Sequence, residues 1–107
     1  MNLIEVSFDR TCDKSKALAN HAEVRLMETI HPHHGLCMTL RCYVEHDMRI
    51  IKATISLPSR PNIMIEAKSR DMYTTVSILI PKIRRYIQHI MSMVHRDKKY
   101  YDHRKVA

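Results

Sequence analysis

Leu36-Cys37-Met38-Thr39-Leu40-Arg41-Cys42-Tyr43-Val44-Glu45 is the stretch from which the fold can be read. Leu36, Met38, Leu40, Cys42 and Val44 alternate with Cys37, Thr39, Arg41, Tyr43 and Glu45, and a period of two puts each set on one face of a strand. Glu45-His46-Asp47-Met48 comes next as a turn. Beyond it Ile51, Ala53, Ile55 and Leu57 alternate with Ile50, Lys52, Thr54 and Ser56, which makes a second strand. Strands joined by so short a connection pair antiparallel. Their shared apolar face must be buried against another layer.

Working outward, Pro58-Ser59-Arg60-Pro61 closes the second of these strands, because each proline fixes its φ and lacks a ladder donor. Asn62 to Lys68 forms another strand, with Ile63, Ile65 and Ala67 facing inward. Toward the N-terminus, Leu3 to Phe8 alternates with Ile4, Val6 and Phe8 on one face, a short strand. Asp9 to Asp13 is a polar turn in which Thr11 or Asp13 is placed to cap a helix. From Lys14 to about Thr29, Leu18, Ala22, Leu26 and Thr29 or Ile30 recur at four-residue steps, while Lys16, Glu23, Arg25 and Glu28 lie elsewhere on the circle. That is an amphipathic helix, ended by His31-Pro32-His33-His34-Gly35.

The last element begins near Ser69 or Asp71. Met72, Val76, Leu79, Ile80, Ile83, Ile87, Ile90, Met91 and Val94 form one stripe of a second helix that extends at least to Val94. Pro81 falls inside it, where proline costs on the order of 3 kcal/mol and usually kinks the axis. The ring lies opposite Met72 and Ile90 and should face solvent, so one kinked helix is expected rather than two. The order is β-α-β-β-β-α: an α+β domain of two layers, a four-stranded sheet covered on one face by two helices lying side by side. Residues 1–95 are expected to form this single domain, and 96–107 a basic, flexible tail.

A length of 107 residues suits one domain, and 45% hydrophobic content supplies a core. One glycine and no tryptophan rule out a glycine-rich phosphate loop and a dinucleotide fingerprint. The net charge of +7 is unevenly placed. Residues 1–54 carry seven Lys and Arg against seven Asp and Glu, whereas residues 55–107 carry eleven against four. Such asymmetry points to a polyanionic partner. No apolar run approaches the roughly 20 residues that span a bilayer, and the first residues lack the features of a signal peptide. Cys12, Cys37 and Cys42 are an odd set at low density, as expected of a reducing cytoplasm.

His31, His33 and His34 with Cys37 invite a metal reading. Zinc needs about four converging ligands, and Cys37 and Cys42 sit on opposite faces of one strand, so no metal and no other cofactor is expected. Cys42 on the apolar face packs as a small hydrophobe, and no cysteine has an evident base. No enzymatic activity and no small-molecule substrate are expected. The basic residues are more informative. Lys82, Arg85, His89 and Arg96 run along one flank of the last helix at spacings of three, four and seven, suited to phosphate contacts. Arg25 extends that surface if the two helices are neighbours. Arg41, Lys52 and Lys68 add positive charge to the outer sheet face, where Tyr43 offers one ring for stacking.

Glu66-Ala67-Lys68-Ser69-Arg70-Asp71-Met72-Tyr73-Thr74-Thr75-Val76, continued by Leu79-Ile80 and Lys82-Ile83-Arg84-Arg85, resembles the signature of the ribosome hibernation-promoting factors and the ribosome-associated inhibitor proteins. Ala17-Leu18 and the element order agree, and the resemblance covers roughly residues 1–95. It implies a fold like the double-stranded-RNA-binding domain. It also implies a cytoplasmic factor of the stress response and stationary phase that binds the small ribosomal subunit and its rRNA. There the protein would occupy the tRNA and mRNA positions and regulate translation. By position, the implied RNA contacts are Arg25, Lys82 and Arg85, with His89 where the family usually has lysine. Pro58-Ser59-Arg60-Pro61 replaces a glycine-containing turn, and Pro81 takes a position that is usually acidic or polar. The second domain of long-form members is missing, so a short form, monomeric off the ribosome, is expected. The alternative is a general RNA-binding module of the same fold without the ribosomal site.

Overall fold

A computed structural model describes the backbone of residues 1–58 and 60–106 and the side chains of residues 1–58, 60–90 and 92. The element order is that expected: β1 (Leu3–Phe8), α1 (Lys16–Ile30), β2 (Cys37–Glu45), β3 (Met48–Ser56), β4 (Ile63–Ser69) and α2 (Met72–Val106). The strands form one sheet in the order β1-β2-β3-β4. β1 runs parallel to β2, a pairing that needs a long crossover, which α1 supplies. β2-β3 and β3-β4 are antiparallel. α2 is one uninterrupted helix through Pro81, whose ring is exposed.

Alternation decides the burial. Leu36, Met38, Leu40 and Cys42 are at most 1% exposed, as are Ile51, Ala53 and Ile55. Leu18, Ala22, Leu26 and Ile30 of α1 and Val76, Leu79, Ile83 and Ile87 of α2 close over them. Burial drives the Cys42 thiol up to about 12, so it is a packing group rather than a nucleophile.

The connections differ in detail from the expectations. The β2-β3 turn is a two-residue hairpin, with His46 at φ 50° and Asp47 at φ 63°. Both central residues thus take the left-handed conformation of a type I′ turn without glycine. Ser15, not Thr11 or Asp13, caps α1: its hydroxyl accepts from the Leu18 N–H at 3.1 Å. Thr11 is used elsewhere, accepting from the Val44 N–H at 3.0 Å and so tying the β1-α1 loop to β2. Gly35 has φ +78° and lies against the Pro58 ring, a place where any side chain would be strained.

Asn2 fastens the α1-β2 connection. Its amide donates to the carbonyls of Ile30 (3.1 Å) and His33 (2.7 Å), and its oxygen accepts from the Leu36 N–H at 3.0 Å. One side chain therefore ties the end of α1, where the Ile30 carbonyl also accepts from the His33 N–H, to the residue that leads into β2.

Candidate nucleic-acid interface

The start of α2 explains the most distinctive stretch of sequence in local terms. Asp71 is its N-cap, accepting from the Thr74 N–H at 3.0 Å and the Thr74 hydroxyl at 3.1 Å. Met72 packs toward the core, and Tyr73 turns outward to meet His21 of α1, the ring centroids 5.1 Å apart. Thr75 is fully buried, its hydroxyl 2.9 Å from the Arg49 carbonyl and 2.7 Å from Ser69 Oγ. This run of residues thus sets where α2 starts and how it is rotated on the sheet.

That rotation sorts the cationic side chains onto two flanks. Toward α1 point Tyr73, Ser77, Ile80 and Arg84, spaced four, three and four residues apart. Arg25 of α1 donates from Nη1 to Ser77 Oγ at 3.0 Å. Next along the seam is a cleft of about 210 Å³ lined by Arg25, Glu28, Thr29, Ile80 and Arg84. Contacts advance together along both helices, so α1 and α2 run parallel.

Toward β4 point Lys82, Arg85 and His89. They rim a groove of about 460 Å³ whose remaining lining is Ile63, Ile65 and Tyr86. Lys82 Nζ donates to the Glu66 carbonyl at 3.0 Å, on the unpaired edge of β4. Lys82, Arg85 and His89 therefore do come together as their spacing implies, but Arg25 does not join them. It stands on the opposite flank with Arg84, a residue that spacing alone did not single out. Arg96 belongs to α2, but its side chain lies outside the described residues.

The outer sheet face does not add the positive charge expected of it. Arg41 is ion-paired with Asp9, and this partner holds the Asp9 carboxyl below its ordinary value. Lys52 stands across from Glu66, and Glu5 and Glu45 share the same face. The register thus offsets Lys52 with Glu66, and the β1-α1 loop offsets Arg41 with Asp9, while Lys68 stands across from Ile50. Tyr43 is half-buried, its ring 5.4 Å from the Arg41 guanidinium, which occupies the stacking position. The usable cationic surface is the helical one.

Among the described residues no group of three or more His, Cys, Asp or Glu converges as a metal site, and no helix is long and apolar enough to cross a membrane. No family model matches the chain, and no curated protein is similar to it. Solved structures are. A ribosomal subunit interface protein from Coxiella burnetii is 22% identical, with a TM-score of 0.68 over 86% of this chain and 99% of that one. The N-terminal domain of Protein Y from Thermus thermophilus is 13% identical, with a TM-score of 0.66 over 83% of this chain and 94% of that one. This chain has their fold. At these identities the likeness is one of architecture, and it agrees with the fold implied by the residues from Glu66 to Arg85.

Proposed function

We propose that the protein is a non-enzymatic, cytoplasmic member of the hibernation-promoting factor family. On this reading it binds rRNA of the small ribosomal subunit in the tRNA and mRNA region and thereby silences or protects ribosomes under stress. The observation that carries the proposal is the pair of cationic flanks on α2, Arg25 with Arg84 and Lys82 with Arg85 and His89. They stand on a fold shared with a protein described as a ribosomal subunit interface protein. Two flanks separated by the solvent-facing crest of one helix can reach two phosphate strands at once, which one linear stripe cannot. Affinity would come from phosphate contacts and shape, and so would fall steeply with salt.

The test is co-sedimentation with purified small subunits at rising salt. Replacing Lys82 and Arg85 together with glutamate should abolish co-sedimentation while the circular dichroism spectrum stays unchanged. Arg25→Glu with Arg84→Glu should do likewise from the other flank. Undiminished binding by both double variants would remove the helical surface from consideration. Sedimentation of stationary-phase lysate separates this reading from a general RNA-binding module, since only the ribosomal reading places most of the protein in ribosomal fractions.

A further inference from the structure

The groove beside β4 has features that phosphate binding leaves unused. β4 is an edge strand. Lys82 reaches the Glu66 carbonyl from outside the sheet, so the N–H and C=O groups of Met64, Glu66 and Lys68 point away from β3. The inward residues of β4, Ile63 and Ile65, are only half-buried, while their neighbours Ile55 and Ala53 on β3 are at most 1% exposed. Tyr86 of α2 is half-buried beside them. Cations rim this apolar floor, and a row of unpaired amides forms one wall.

We propose that the β4 edge is a docking site for an extended acidic peptide, which adds antiparallel to β4 as a fifth strand. Its alternate apolar side chains fill the groove over Ile63, Ile65 and Tyr86, and its carboxylates meet Lys82 and Arg85. Lys82 is the latch. While the groove is empty its ammonium covers the Glu66 carbonyl, a common way of blunting an edge strand. When a strand arrives, the peptide N–H takes that carbonyl and Lys82 turns to a carboxylate. Charge decides the occupant: a second copy would set another Lys82 and Arg85 against the first pair, and RNA would leave the apolar floor and the edge amides unsatisfied. Peptide and RNA would therefore compete for Lys82 and Arg85.

Fluorescence anisotropy with a labelled peptide of about eight residues, alternating valine with glutamate, tests this. Saturable binding is expected, weakened about tenfold or more by Met64→Pro, which deletes an outward amide without touching the β3 ladder. Small-subunit binding by the same variant should be unchanged, so the two sites of action are read separately. If valine-to-serine peptides bind equally well, charge alone is at work and the strand-addition proposal fails. Self-association of the chain in place of peptide binding overturns it too. Should Met64→Pro disturb folding, amide exchange in the unaltered chain decides: peptide should slow Met64, Glu66 and Lys68 about tenfold, and unchanged rates refute the proposal.

Discussion

The two flanks of α2 carry similar charge and are built differently. Toward α1 the helix is knitted to its neighbour: Arg25 bonds Ser77, His21 meets Tyr73, and Ile80 is buried at the seam. Toward β4 the helix overhangs a sheet edge: Thr75 meets Ser69 at its start, and farther along Lys82 reaches the Glu66 carbonyl. Cations on the first flank are therefore structural and electrostatic at once. Those on the second rim an open groove, where the partner of Lys82 is an exposed edge carbonyl. A polyanion bound as proposed would meet a knitted seam on one side and an open groove on the other.

Beneath both flanks lies the same buried stripe, and damaging it should erase the difference. Ile83 is fully buried in the first half of α2. Ile83→Ala should cost about 2–5 kcal/mol, from lost transfer energy and the cavity left behind. Urea denaturation would measure it. A loss below about 1 kcal/mol would mean that α2 is held mainly by its flanks and not by the core.

Pro81 stands at the solvent-facing crest between the flanks and withholds the amide that the Ser77 carbonyl would otherwise receive. The Ser77 hydroxyl accepts from Arg25, so that carbonyl belongs to a residue of the α1 flank. Pro81→Ala should raise stability by about 1–3 kcal/mol, seen as a higher midpoint in the same titration. An unchanged midpoint would mean that the surrounding helix already compensates for the missing bond.

Which features could be read beforehand depends on which contacts are local. The alternation from Leu36 to Leu57 and the four-residue steps of α1 are short-range patterns, and burial follows them except at Ile50, which is buried although it belongs to the outward set. Lys82, Arg85 and His89 are also neighbours by helical spacing alone. Arg84 became visible only with α1 in place, because its partner across the cleft, Arg25, lies on a different element far back in the chain. The acid across from Lys52, Glu66, needed the strand register, and the pairing of Arg41 with Asp9 needed the folded loop, both tertiary facts. The local pattern points to Thr11 or Asp13 rather than to Ser15, which caps α1, and Thr11 is diverted by its bond to Val44. The turn at His46-Asp47 lacks the glycine that usually advertises a type I′ hairpin.

Smaller effects separate the flanks themselves. Arg25→Met keeps the aliphatic stem and removes the bond to Ser77, and should cost about 0.5–1 kcal/mol, a typical net value for one hydrogen bond. Thermal denaturation of Arg25→Met beside Ser77→Ala and the double variant would isolate the pair. If the two losses simply add, the seam owes nothing to that contact.

Lys82→Met should change stability least, by less than about 0.5 kcal/mol, because its partner is an exposed edge carbonyl that water can serve equally well. Methionine preserves the apolar stem over the groove, so packing is not the variable. What should change is association. With its cation gone the β4 edge presents unpaired amides beside an apolar floor, the condition under which edge strands recruit one another. Light scattering at rising concentration should detect oligomers of Lys82→Met where the parent chain stays dispersed. A destabilisation as large as that of Arg25→Met, with no added association, would make the two flanks equivalent and Lys82 a strut rather than a latch.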